Sequence, residues 1–188
     1  VGIVDQDQLI DGHRIRPGDR LIGLASSGLH SNGFSLVRKD FFTDQQFDPR
    51  QVLPELGVPL GEELFKPTRI YVKSIVSLLK KHSLTGWAHI TGGGIVENLP
   101  RILPGTCQAR IQGDSWDIPP IFPLLKRLGA VSEEEMWRVF NNGVGMILVV
   151  SADQTLAIQE ELFRLGEKAF LIGEIIDRPE SGPAVLID

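Results

Sequence analysis

The sequence predicts an α+β fold: one layered domain with a mixed, largely antiparallel sheet and helices packed on it. Short apolar strands alternate with amphipathic segments, and two strand-like runs, 169–176 and 184–187, close the chain as an expected hairpin across "RPESGP". The 188 residues, 42% of them hydrophobic, suffice for one good-sized core or two small ones. No linker, internal repeat or low-complexity stretch divides them, so a single domain is expected.

The elements follow in order. "GIVDQDQLI" near the start has weak strand character. "RPGD" (Arg16–Asp19) is a turn, because Pro presets φ and Gly accepts positive φ. "RLIGLA" (Arg20–Ala25) is a short strand, and a helix is expected over 33–42. The polar, Pro-containing stretch 44–59 reads as a surface connection. From Pro67 to His82 the spacing of Val72, Ile75, Val76 and Leu79 predicts a helix with one buried face. Pro67 suits its first turn, and Lys80, Lys81 and His82 suit its negative end.

"GWAHI" (86–90) and "CQARIQ" (107–112) are expected strands; between them "TGGGIVENLPRIL" runs from a glycine loop into a short helix that Pro100 stops or kinks. Helices are expected over 119–128 and 132–139. Ser132 with Glu135 makes a capping-box pattern, so the acidic run Glu133–Glu135 is helix-start chemistry rather than a metal site. "GVGMILVVS" is a buried strand, and 152–165 is a helix with Ile158, Leu162 and Leu165 on one side.

Net charge is −5 with no long basic run, which argues against nucleic acid as the main partner and leaves a local anion site open. Cys107 is the only cysteine, so an intramolecular disulfide and a cysteine-cluster metal site are excluded. It reads as a small core residue in a reducing compartment, the cytoplasm. No apolar run approaches the ~20 residues of a membrane span. No signal-peptide pattern opens the chain, and it begins at Val1 without a methionine, as the interior of a longer protein would.

Three loops hold the candidate chemistry. "SSGLHSNG" carries Ser26, Ser27, Gly28, His30, Ser31, Asn32 and Gly33 between a strand and a helix. The first N–H groups of a helix lack internal partners and the helix dipole adds positive charge there, so this arrangement suits a phosphate. The alternative is a tight turn with Ser31 or Asn32 as an ordinary helix cap. "HITGGGIVENLPR" repeats the plan with Thr91, Gly92, Gly93 and Gly94, and Asn98 and Arg101 sit where they can reach back to a ligand. Three glycines in a row suggest close approach of a ligand or another chain. "FNNGVGMI" places Asn141, Asn142, Gly143 and Gly145 at the mouth of a strand, where a simple turn also accounts for them. His30 and His89 border these loops as candidates for ligand contact or proton transfer. No dinucleotide fingerprint, Walker loop, nucleophile elbow or metal-ligand histidine spacing is present.

"LASSGLHSNGFSLVRK", "PTRIYVKS", "HITGGGIVENLPRILP" and "FNNGVGMILVV", in this order, closely resemble the C-terminal domain of the phosphoribosylformylglycinamidine cyclo-ligase family, also called aminoimidazole ribonucleotide synthetases. The likeness runs from about Gly18 to Ile176. The combination of "SSG-x-HSNG" with "TGGG-x-x-EN-x-PR" sets it apart from selenophosphate synthetases and thiamine-phosphate kinases.

The resemblance implies an enzyme of de novo purine synthesis that uses ATP to close the imidazole ring of formylglycinamidine ribonucleotide, giving aminoimidazole ribonucleotide, ADP and phosphate. It implies that residues 1–188 are one C-terminal domain of a two-domain homodimeric protein. It further implies that the N-terminal domain, with most of the ATP and Mg²⁺ contacts, is absent from this piece, and that the piece is expected to be inactive alone. No carboxylate cluster suited to Mg²⁺ is found in the sequence, and no metal ligands are expected. By the same resemblance Ser26, Ser27, Gly28, His30, Ser31, Asn32 and Gly33 match the loop that cradles the substrate phosphate. His89, Thr91, Gly92, Gly93, Gly94 and Asn98 match a second loop, and Asn141, Gly143 and Gly145 a third. His89, with His30 behind it, is the expected proton-handling or polarising residue. Asn142 stands where some members carry Cys, which speaks against a required thiol. A phosphate-ligand or dimerisation module without catalysis, and the longer amidotransferase synthase of the preceding step, remain as alternatives.

Overall fold

The computed structural model describes residues 3–188. Six strands form one sheet: β1 (Arg20–Ala25), β2 (Gly86–His89), β3 (Cys107–Ile111), β4 (Val144–Val150), β5 (Ala169–Asp177) and β6 (Val185–Ile187). Their order is β2-β4-β1-β5-β3-β6, antiparallel throughout except for the β3–β6 pair. This is the mixed, largely antiparallel α+β layer expected from the sequence.

β4, second in the sheet between β2 and β1, is an apolar strand buried on both faces. Ile147 and Val149 face a layer containing Ile95, Leu99 and Trp137. Leu148 and Val150 face a second layer with Tyr71, Ile75, Leu78, Ile158 and Leu162. Helices α4 (Gly94–Asn98) and α6 (Glu133–Val139) therefore cover one side, and α3 (Val72–Leu79) and α7 (Thr155–Arg164) the other. Beyond the sheet, α1 (Phe34–Val37), α2 (Leu60–Leu64) and α5 (Ile121–Leu128) pack around Phe41, Phe122, Leu125 and Phe140. Cys107 is buried as expected. Ser132 caps α6, its hydroxyl accepting from the Glu135 amide at 3.2 Å.

Several expectations are corrected. The opening segment is not a strand: Gln6–Gln8 form a 3-10 turn, Ile3 and Val4 are exposed, and Gly2 lies outside the described residues. The helix expected over 33–42 is α1 followed without a break by a π-helical segment, Arg38–Asp44. α2 is an additional short helix that follows the 44–59 connection. The helix expected from Pro67 begins only at Val72, leaving 66–71 as a strap without regular secondary structure. Its buried face is Ser74, Ile75 and Leu78, whereas Val72 and Val76 are exposed. The expected terminal hairpin does not form, because β3 inserts between β5 and β6. The Ala109 amide takes the Ala184 carbonyl, so β6 returns parallel to β3.

Pairing of Ala25 with Val144 and of His89 with Met146 places the C-terminal ends of β1 and β2 beside the start of β4. The three glycine-rich loops therefore emerge at one end of three adjacent strands.

Candidate functional site

The loops are joined by backbone and amide bonds. The Ser26 amide donates to the Gly143 carbonyl at 2.8 Å, and the Ile90 amide to the Gly145 carbonyl at 2.9 Å. Asn141, fully buried, clasps the first and third loops. Its Oδ1 accepts from Ser26 Oγ (3.0 Å) and the Gly143 amide (2.8 Å), and its Nδ2 donates to the Gly28 carbonyl (2.9 Å). Asn142 turns away, donating to the Met136 carbonyl while its own carbonyl accepts from the Trp116 indole.

The second loop is built by Asn98. Its amide nitrogen donates to the carbonyls of Thr91, Gly92 and Gly94, and its oxygen accepts from the Thr91 hydroxyl. Asn98 thus shapes the loop. Arg101 is exposed and forms no hydrogen bond or ion pair among the described residues, so nothing ties it to the loops.

The glycines divide by what surrounds them. A β-carbon on Gly94 would lie 2.0 Å from the Trp137 carbonyl oxygen, and one on Gly33 2.2 Å from the Phe140 ring. One on Gly143 would lie 2.5 Å from Pro119. These three are required by packing, and within the glycine run Gly94 is accounted for by its close approach to the Trp137 carbonyl of the same chain. Gly92 alone of the triplet faces open space, and the amides of Thr91, Gly92 and Gly93 have no acceptor among the described residues.

The first loop keeps its donors free. Gly33, with φ of 70°, occupies the cap position of α1, and no side chain caps the helix. Neither Ser31 nor Asn32 serves as the ordinary cap. The amides of Gly33, Phe34, Ser35 and Leu36 have no acceptor among the described residues. Asn32 is buried with no side-chain hydrogen bond among them, and the exposed Ser31 meets only the Thr68 hydroxyl, at 3.3 Å. Ser27 is committed elsewhere, donating to the Pro67 carbonyl at 2.6 Å.

His30 is 6% exposed and sits at φ of 56°. Its Nε2 accepts two backbone amides, Ser27 at 3.1 Å and Arg69 at 3.4 Å. That nitrogen is therefore unprotonated and the proton resides on Nδ1, which is buried with no partner among the described residues. Burial first, then the nearby His89 and Arg69, push the imidazole down to about 4. At neutral pH the His30 imidazole is therefore neutral. Tyr71 stands between the two histidines, its ring centroid 6.3 Å from His30 and 6.2 Å from His89. Its hydroxyl donates to the Ala25 carbonyl, and burial raises the phenol well above its ordinary value. His89 is exposed at the end of edge strand β2.

The strap 66–71, part of the motif "PTRIYVKS", lies against the first loop through the Pro67 carbonyl and the Arg69 amide and through the Thr68 and Tyr71 side chains. Beside it opens an apolar groove of about 450 Å³ lined by Ile70, Tyr71, Val72, Trp87, His89 and Met146. Among the described residues no group of three His, Cys, Asp or Glu side chains is placed to hold a metal ion. No helix among them is long and apolar enough to cross a membrane.

Residues 16–185 match the family described as AIR synthase related protein, C-terminal domain. A phosphoribosylformylglycinamidine cyclo-ligase of Syntrophotalea carbinolica is 54% identical over 182 residues, 97% of this chain and 52% of that protein. The enzyme of the same name from Thermoanaerobacter sp. is 51% identical over 177 residues, 94% of this chain and 52% of that protein. The chain spans about half the length of these curated relatives. In fold it is similar to a thiamine-monophosphate kinase of Stenotrophomonas maltophilia, with a TM-score of 0.64 at 18% identity, covering 98% of this chain and 54% of that one.

Proposed function

The chain belongs to the family of AIR synthase related proteins, matching its C-terminal domain, and from that membership we propose that it supplies the ribonucleotide-phosphate site of an ATP-dependent cyclo-ligase. One observation supports this most: the start of α1 is uncapped, with four free amides, and the same loop carries His30, whose Nδ1–H is buried and unpartnered among the described residues. Aligned backbone donors at a helix start favour an oxyanion, and a neutral histidine donor adds a directed bond without a competing charge.

In this reading Ser31, Asn32 and Gly33, with the open amides around Gly92 and Gly93, hold the substrate phosphate. Gly28, Thr91, Asn98, Asn141, Gly143 and Gly145 shape the loops, Ser26 ties the first loop to the third, and Ser27 ties it to the 66–71 strap. The apolar groove takes the less polar part of the ligand. Exposed His89 on its wall is the residue assigned to proton handling during ring closure, and His30 polarises by donation from Nδ1. Ring closure needs the amidine nitrogen and the activated formyl carbon held at attack distance, so rigid, preorganised loops suit the task.

ATP and Mg²⁺ belong, in this proposal, to the other half of the longer protein. Among the described residues the carboxylates do not form a cluster suited to Mg²⁺. The other half, homodimer formation, a cytoplasmic location and inactivity of this piece alone are parts of the same proposal.

Calorimetric titration with formylglycinamidine ribonucleotide, with ATP run in parallel, tests it. Saturable ribonucleotide binding is expected, weakened about tenfold or more by Ser31→Ala with Asn32→Ala, since a charge-assisted bond contributes roughly 1.5–3 kcal/mol. ATP binding in preference to the ribonucleotide contradicts the assignment.

A further inference from the structure

Glu167 lies between α7 and β5, is 6% exposed, and has no place in the site described so far. A buried carboxylate is costly unless paired, and both of its oxygens are paired. Oε2 accepts from Arg69 Nε at 2.9 Å, and Oε1 from Ser74 Oγ at 2.5 Å. Arg69 also donates from Nη2 to the Gly166 carbonyl at 3.2 Å. The carboxylate therefore grips the chain on both sides of Tyr71, once in the strap and once in the first turn of α3. The strap in turn brings the Arg69 amide onto His30 Nε2.

We propose that Glu167 is a positioning residue: by holding Arg69 and Ser74 it keeps the 66–71 strap on His30 and so maintains the single tautomer that presents Nδ1–H to an anionic ligand. This rests on the reading of the 26–33 loop as a ligand site. Two amides on one imidazole nitrogen exclude a proton there. Releasing the strap removes one amide and admits water to the ring, and both changes allow Nε2 to take up a proton. The groups facing His30 are Arg69 from the strap, Tyr71 from the head of α3 and His89 from β2.

The test is nitrogen NMR of the chain labelled with ¹⁵N-histidine, comparing the native sequence with Glu167→Gln. The native chain should show His30 with the proton on Nδ1 and no protonation down to about pH 5. In Glu167→Gln the expected result is a mixture of tautomers and a midpoint raised by about one pH unit or more. Loss of the negative charge alone moves the midpoint down, so only a loosened strap moves it up. A folded variant whose His30 keeps one tautomer, with its midpoint unchanged or lower, overturns the proposal. If Glu167→Gln does not fold, Arg69→Gln releases the same grip from the more exposed partner. Mixed tautomers at neutral pH in that variant support the proposal, and a single Nδ1–H tautomer overturns it. Inorganic phosphate, added separately to the native chain, tests the ligand site: a missing Nδ1 shift counts against that site while the tautomer result stands on its own.

Discussion

Gly145 makes room for Tyr71: a β-carbon on Gly145 would lie 2.1 Å from the Tyr71 hydroxyl oxygen and 2.5 Å from His30 Cε1. The third loop is thus fitted against the tyrosine between the two histidines. Gly145→Ala is expected to cost about 1–3 kcal/mol of stability through overpacking. It should also weaken ribonucleotide binding at least tenfold by displacing His30. Tyr71→Phe removes the nearest clashing atom, so it should recover part of the stability in the Gly145→Ala background. Alone it costs about 1 kcal/mol for the lost bond to Ala25. Urea unfolding of the four proteins measures this coupling.

Asn141 and Gly92 separate framework from contact. Asn141→Ala leaves Ser26 Oγ, the Gly143 amide and the Gly28 carbonyl without their partner, and is expected to cost about 2–4 kcal/mol in urea unfolding.

A side chain on Gly92 meets nothing within 4 Å, so Gly92→Ala should leave stability within about 0.5 kcal/mol. If the open amides there meet the ligand, this variant weakens ribonucleotide binding without changing the unfolding midpoint. Gly94→Ala, by contrast, drives a β-carbon into the Trp137 carbonyl at φ of 57° and should destabilise the fold outright.

Acid should reveal His30. The unfolded chain takes up a proton on this histidine near 6.5, whereas the native chain resists until about 4. Native stability therefore falls as pH drops from about 7 toward 4, by an amount on the order of 2 kcal/mol. His30→Asn, which tolerates the positive φ, should flatten this part of the profile. Glu161 enters only at the acid end: the bond from Lys81 holds its carboxyl below the ordinary value of 4.5, so its contribution fades as pH falls past that value.

Much of the fold is legible in the sequence where one physical demand dominates. "VGMILVV" is apolar on both faces because β4 is buried on both, and "SSGLHSNG" is polar and glycine-containing where a loop opens a helix. Legibility fails where two patterns compete. Around α3, Ile70, Val72 and Val76 form an apolar strip as convincing as Ile75 and Leu78, and periodicity cannot say which strip the sheet takes. Ile75→Ala should therefore cost about 2–4 kcal/mol and Val76→Ala less than about 0.5, a difference that urea unfolding measures directly. β6 has three residues, too few to carry a register, and its partner is decided by β3 occupying the flank of β5. The roles of Asn98 and Asn141 are hidden in the sequence because their partners are carbonyls that only the tertiary fold brings near.

The most direct measurement of the central claim is an amide-resolved NMR titration of this chain with formylglycinamidine ribonucleotide. Saturable shifts at Ser31, Gly33, Phe34, Gly92 and Gly93, together with His30 Nδ1, are the result predicted. Saturable binding that leaves those amides unmoved, or no binding at millimolar ligand, contradicts the assignment of these loops as the phosphate site.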